Sequence, residues 1–220
     1  PAASLVSLPP ALSFVEGATL PCAGLTAWNA LVVAGDLREG QIVLVQGTGG
    51  VSLFAAQIAL AHGARVIATS SSAAKIERLA ALGCEACIDY TRTPGWGAEV
   101  VALTGGRGAD VIVEVGGAGT LAQSLEAVAV GGRISLVGTL AEPSGIDPRP
   151  ILVRYASVSG IFAGSREMFV EFNRFIEACG LRPVIDRVFP FEQAPCAYEW
   201  LGERRHFGKV VVGIGENPSD

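Results

Sequence analysis

Charge is scarce in this chain, at 17% of residues, and its balance is acidic, with a formal net charge of −5. Without a basic face there is nothing to neutralise the phosphates of a polymer, so nucleic acid and anionic membrane are poor partners and a soluble small-molecule task fits better. Cysteine is sparse as well. Five in 220 residues, an odd number in a long chain, argue against a secreted disulfide framework and for reduced, buried thiols. No apolar run approaches the ~20 residues that cross a bilayer, and no basic-then-apolar leader opens the chain, so a cytoplasmic location is expected. Pro1 stands first without a methionine, which leaves open a piece of a longer protein.

Half of the residues are hydrophobic, enough to bury a full core. Runs rich in Val and Ile alternate with helix-period segments, the signature of βαβ units on a parallel sheet. The expected strands are 41–46, 65–69, 86–89, 110–115, 133–138 and 157–163. The expected helices are 51–62, 73–82, 120–130 and 166–179, each closing on a glycine: Gly63, Gly83, Gly131 and Gly180. Right-handed crossovers then favour a doubly wound α/β sheet of six strands in the order 3-2-1-4-5-6. Two flanks fall outside this rhythm. Residues 1–40 hold a Pro-containing entry and a helix-like segment, and the tail after Pro183 holds a strand, a helix entered through Phe191-Glu192-Gln193, and a last strand from Lys209. Both read as parts of a second domain lying on either side of the sheet domain in sequence, with 41–183 as the dinucleotide-binding domain and 184–220 as the return.

The stretch VLVQGTGGVSLFAAQ, residues 43–57, runs from strand to helix through a glycine turn that lacks one element of the fingerprint G-x-G-x-x-G: Ser52 stands where the third glycine belongs. Gly47 permits the tight turn, Gly49 lets backbone approach a pyrophosphate, and Gly50 and Val51, after Thr48, offer N–H groups at the helix start. The third glycine serves helix-on-strand packing, which a small serine tolerates, and its hydroxyl is free to bond back to a preceding carbonyl. An acid is also missing about 20 residues on, where one would accept the ribose hydroxyls of NAD. Thr69-Ser70-Ser71-Ser72 stands there, with Lys75 one turn later, a set suited to a 2′-phosphate and so to NADPH. The alternative is that the serines cap a helix and Lys75 is solvated surface.

The stretch from VLVQGTGG to CIDY (43–90), the upstream LPCAGLTAWNAL and the closing HFGKVVV together resemble the medium-chain dehydrogenase/reductase superfamily, particularly its zinc-independent, quinone-oxidoreductase-like branch. The resemblance implies a Rossmann cofactor domain flanked by pieces of a GroES-like catalytic domain, most of which would precede Pro1; the chain alone would then bind cofactor and turn over little. It also implies roles residue by residue. Thr26 matches a position near the nicotinamide. Ser70 or Ser71, Lys75 and Tyr90 match positions around the adenosine 2′-phosphate, Tyr90 having the alternative of a half-buried aromatic at a strand end. Gly116 and Gly117, with Val137, Gly138, Thr139 and Leu140, match loops lining the cofactor cleft. His206 and Lys209 either contact the cofactor or sit on the cleft's rim, the rim being the expectation. Cys22 falls where zinc-dependent relatives put a thiolate, yet one cysteine does not bind zinc and any companion ligands would lie upstream of Pro1; it is read as a small buried residue, and no metal is expected, the alternative being a site completed by upstream ligands. Cys84 and Cys87 form a C-x-x-C flanking a strand, with no redox role expected. No Tyr-x-x-x-Lys pair supports a short-chain reductase.

The expectation is an NADPH-dependent oxidoreductase acting on a quinone, an enone or a carbonyl, with no catalytic residue identified. The alternatives are a non-catalytic nucleotide-binding module and the enoyl-reductase section of a larger synthase. SVSGIFAG, the last strand of the assumed order, is an exposed edge through which a homodimer is expected.

Overall fold

The computed structural model describes residues 5–140, 142 and 145–215; the parts of the expected flanks at 1–4 and 216–220 lie outside them. Six strands, β1 (Ile42–Gln46), β2 (Arg65–Ser70), β3 (Ala86–Asp89), β4 (Ala109–Glu114), β5 (Val128–Leu136) and β6 (Ser157–Gly160), form one sheet in the order β3-β2-β1-β4-β5-β6. Every pairing is parallel, which is the doubly wound topology expected. The helices are α1 (Phe14–Gly17), α2 (Leu25–Trp28), α3 (Gly50–Ala61), α4 (Ala73–Leu82), α5 (Trp96–Leu103), α6 (Leu121–Ala127), α7 (Arg149–Val153), α8 (Arg166–Cys179) and α9 (Ala194–Gly202). No helix among the described residues is long and apolar enough to cross a membrane.

Because successive residues of a strand face opposite sides and both faces of the sheet are covered, β1 is apolar as far as Val45. Val43 and Val45 enter a core on one sheet face with Phe54, Ile58 and Phe172. Ile42 and Leu44 enter a second core on the other face with Trp96, Val100, Leu121 and Leu125. All five β1 residues are buried, so the strand carries no polar face and Gln46 at its end needs a partner, which it finds in the site. The larger core also takes the helical stretch ahead of the sheet. Its buried positions Leu20, Ala23, Gly24, Ala27, Ala30 and Leu31 recur at helical spacing, and Trp28 meets Phe172 at 5.5 Å and Phe175 at 5.1 Å.

The differences from expectation have local causes. The helix expected over 120–130 stops at Ala127, because Val128 pairs with Ala109 and the chain continues as β5. Gly131, expected to end that helix, lies inside the strand at φ +75°, next to a register shift of the β4–β5 ladder. The helices α5 and α7 have no counterpart in the sequence reading; α5 contains a glycine and two adjacent valines, which mask helical periodicity, yet it lies on the crossover that must pass from β3 to β4. The tail forms a separate two-stranded parallel sheet, β7 (Ile185–Pro190) with β8 (Lys209–Gly213), joined through α9.

Candidate functional site

The glycine turn leaves β1 at Gly47, whose φ of +69° is the left-handed conformation glycine tolerates. Gly49 caps α3 with extended backbone, φ −75° and ψ 172°, and a Cβ built there meets nothing within 4 Å. Gly50 is different, since its Cβ would come within 3.2 Å of the Ala23 Cβ and closer still to the Lys209 stem. Ser52 is buried and its Oγ donates to the Gln46 carbonyl at 2.6 Å. The residue that breaks the fingerprint thus fastens the first turn of α3 to the end of β1, as its hydroxyl allowed. The N-terminus of a 12-residue helix behind an unobstructed glycine is a site for an anion.

A cavity of about 200 Å³ opens beside this turn, lined by Gly47, Thr48, Gly49, Ser70, Ser71, Lys75, Tyr90, Arg204 and His206. The expected 2′-phosphate residues are therefore brought together with the pyrophosphate turn. Ser72 takes the cap position of α4 without a side-chain capping bond, so the serines are not consumed as caps; the Ser70 Oγ accepts the Ser72 N–H at 3.4 Å. Lys75 is half-buried and donates to the Arg204 carbonyl at 2.8 Å. Burial holds its ammonium below the usual lysine range, against the pull of Asp186, with Arg78 adding to the lowering. Tyr90, 42% exposed, also borders a second cavity of about 470 Å³ with Trp96, Pro94, Val115 and Leu140.

His206 lines the smaller cavity, and Lys209 packs its stem on Gly50. The tail brings His206 there. Gly208 donates to the Thr48 carbonyl at 2.9 Å, and Gly208 also forms a parallel bridge with Gly49. Asp186 fixes the same segment by accepting the Phe207 N–H at 3.0 Å and the Trp200 indole N–H at 2.8 Å, with the Arg78 guanidinium 3.7 Å away. Arg204 and Asp186 were not singled out from sequence. An Arg-Arg-His run ahead of a glycine was the only available signal for Arg204, and nothing marked Asp186.

Beyond β4 the expected cleft loops pack on one another. A Cβ on Gly138 would lie 2.3 Å from the Val115 carbonyl oxygen, and one on Gly117 would lie 2.8 Å from the Thr139 Cα, while the Val137 N–H donates to the Glu114 carbonyl at 2.8 Å. Glu114, fully buried, organises this region. It accepts from Gly116 N–H at 2.8 Å, Gly117 N–H at 3.0 Å and the Gln46 amide at 2.8 Å, and also from the Thr120 and Ser124 hydroxyls. A buried carboxylate holds its place only with its lone pairs filled in this way. Because Gln46 adjoins Gly47 and its Oε1 accepts the Val115 N–H at 3.3 Å, one network ties both cofactor loops together. Sequence reasoning missed Glu114 and Gln46.

One expectation is corrected. Cys22 is exposed rather than buried, because residues 20, 23, 24 and 27 face the core and position 22 falls on the opposite side of the helical stretch. Thr26 is buried within α2 and lines neither cavity. Cys84 is buried and Cys87 half-buried, both as free thiols; a hydrogen bond to Cys87 pushes the Cys84 thiol up and lowers Cys87. Among the described residues no group of three or more His, Cys, Asp or Glu is arranged to hold a metal ion.

Residues 50–178 match the family described as zinc-binding dehydrogenases. A zinc-type alcohol dehydrogenase-like protein of Schizosaccharomyces pombe is 46% identical, aligned over 97% of this chain and 64% of its own length. Quinone oxidoreductase of Sus scrofa is 31% identical over 93% of this chain and 64% of its own. The crystal structure of an NAD-dependent alcohol dehydrogenase superposes with a TM-score of 0.90 at 40% identity, over 98% of this chain and 63% of the other. The chain spans just under two thirds of the length of each. With the sheet order, the glycine turn and these matches in agreement, the chain belongs to the zinc-binding dehydrogenase family of the medium-chain dehydrogenase/reductase superfamily.

Proposed function

We propose that this chain is the dinucleotide-binding portion of an NADPH-dependent oxidoreductase whose substrate is a quinone or enone C=C, or a carbonyl. The observation that carries the reading is the composition of the smaller cavity: a pyrophosphate turn at one end and Ser70, Ser71, Lys75, Arg204 and His206 at the other, with no carboxylate among its lining residues. The fit to a dinucleotide is supported by the unobstructed Gly49 and by the His206 Nδ1, which is buried without a hydrogen-bond partner. Bound nicotinamide supplies hydride; the protein binds, orients and screens it. Gly47, Thr48 and Gly49, with the α3 N-terminus, hold the pyrophosphate, Ser70, Ser71, Lys75 and Arg204 hold the 2′-phosphate, and the loops fixed by Glu114 border the rest of the cleft. The relative described as NAD-dependent means that the scaffold also serves NAD elsewhere in the family, so cofactor choice rests on the end of β2. Titration of the protein with NADPH, followed by nicotinamide fluorescence, should saturate and be reversed by 2′,5′-ADP more readily than by 5′-AMP. A flat titration contradicts the proposal.

Two further expectations belong to this reading. Within these 220 residues Cys22 has no companion ligand, so elemental analysis of the purified 220-residue chain should find no stoichiometric zinc, and a value near one per chain overturns this. Pairing through β6 is proposed as well. This strand is the sheet edge, and Phe162 beside it is 99% exposed, with Leu152, Val153 and Tyr155 exposed nearby. Unpaired backbone next to apolar surface favours a second copy. Light scattering across the micromolar range should give a dimer, and a monomer throughout counts against it.

A further inference from the structure

His206 stands in the turn between α9 and β8 and faces the smaller cavity. Its Nδ1 is buried and has no hydrogen-bond partner. Lys75 approaches it from α4, Asp186 from β7 and Lys209 from β8, while Arg204 precedes it in the same turn. Ser70 and Ser71 of the β2 end and the Tyr90 phenol complete the lining. Arg78, also on α4, lies behind, with its guanidinium 3.9 Å from the Phe207 ring centre. Cations thus outnumber the single acid, and that acid is already engaged by Phe207, Trp200 and Arg78. Burial first, then Lys75 and Lys209, hold the imidazole below the usual histidine range, with Asp186 pulling the other way. That direction favours the neutral ring in the free protein.

We infer that His206 takes up a proton from solvent when a 2′-phosphate enters this cavity, and that it makes the preference for NADPH over NADH depend on pH. The inference rests on the 2′-phosphate reading proposed above. A phosphate dianion reverses the local excess of positive charge and turns the imidazolium from a repelled group into a charge-assisted donor. The sign follows from linkage: a pKa raised by the ligand means tighter binding as pH falls through the ligand-bound pKa, with the gain complete below the ligand-free one. NADH lacks the dianion and produces no such slope. The second pKa of a phosphate monoester, about 6, gives the opposite slope and bounds the window from below. The useful range is therefore roughly pH 6.5 to 8.

The test is calorimetric titration of the protein with NADPH and with NADH at both ends of that range, in buffers of differing ionisation enthalpy, repeated with His206→Gln. The expected result is uptake of at least about half a proton per NADPH at pH 7.5, and binding at least about threefold tighter at pH 6.5 than at pH 8. NADH should show neither effect, and the glutamine variant should lose both while still binding NADPH. Should the variant not fold, proton NMR of the parent protein provides the same test: 2′,5′-ADP should raise the titration midpoint of His206 and 5′-AMP should not. Tighter binding of NADPH than NADH without proton uptake, or with the same pH slope in the variant, overturns the role of His206 alone. Equal affinity for the two cofactors overturns the 2′-phosphate reading and this inference with it.

Discussion

Replacing Ser70 by aspartate is expected to reverse the choice of cofactor, from at least about tenfold in favour of NADPH to about tenfold in favour of NADH, a hundredfold swing or ~2.7 kcal/mol. Ser70 ends β2, is buried, and lies in the cavity with Lys75, Arg204 and His206. A carboxylate there accepts the two ribose hydroxyls of NADH and repels a 2′-phosphate, with the repulsion strengthened because the position is shielded from water. Lys75 and the adjacent serines supply partners for the new charge, so the variant should fold. Lys75→Ala provides the complementary test. It should weaken NADPH by roughly tenfold, since Arg204 remains to face the phosphate, and leave NADH nearly unchanged. Titrating both variants with both cofactors checks this, and a Ser70→Asp protein that still prefers NADPH would place the 2′-phosphate elsewhere.

Gly49→Val should cost at least about a hundredfold in affinity for either cofactor, or ~2.7 kcal/mol, while leaving thermal stability nearly unchanged. The backbone of Gly49 is extended, a conformation any residue adopts, and its Cβ direction points into open space. Among the described residues no heavy atom beyond its chain neighbours lies within 4 Å of that Cβ. On the proposed reading the same open space takes the pyrophosphate at the α3 N-terminus, and an isopropyl group there would exclude it. The expected separation between binding and stability distinguishes a ligand-shaped glycine from one needed for packing, as Gly50 is against Ala23. Differential scanning calorimetry beside a binding titration reads both. Unchanged binding in a folded Gly49→Val protein would remove the dinucleotide from this turn.

Strand order was legible in the sequence because buried parallel strands carry unbroken Val and Ile runs and each crossover has a fixed hand. The boundary of α6 with β5 was not, because the glycine pair at 131–132 resembles a helix stop and belongs instead to a strand irregularity. Around the cavity, Gly47, Gly49, Ser70, Ser71 and Lys75 could be singled out because each lies at a fixed offset within one βαβ unit, whereas Tyr90 came only from the family resemblance. Arg204 and Asp186 arrive from a tail more than a hundred residues beyond the glycine turn, and local spacing holds no record of where that tail crosses it; His206, from the same tail, was placed at the cleft only by the resemblance. Glu114 was missed for a related reason: a lone carboxylate ending a strand reads as solvated, and only the converging donors from Gln46, Thr120, Ser124 and the Gly116–Gly117 backbone reveal it as the fastening of both loops.

The central claim is that a serine-lysine-arginine cavity at the end of β2 selects a 2′-phosphate on a dinucleotide held by the glycine turn. Calorimetric titration of the unaltered protein with NADPH and NADH at pH 7 tests it most directly. Burial of the phosphate against Lys75, Arg204 and the serine hydroxyls should make NADPH bind at least about tenfold more tightly. Equal affinities, or tighter binding of NADH, would contradict the account.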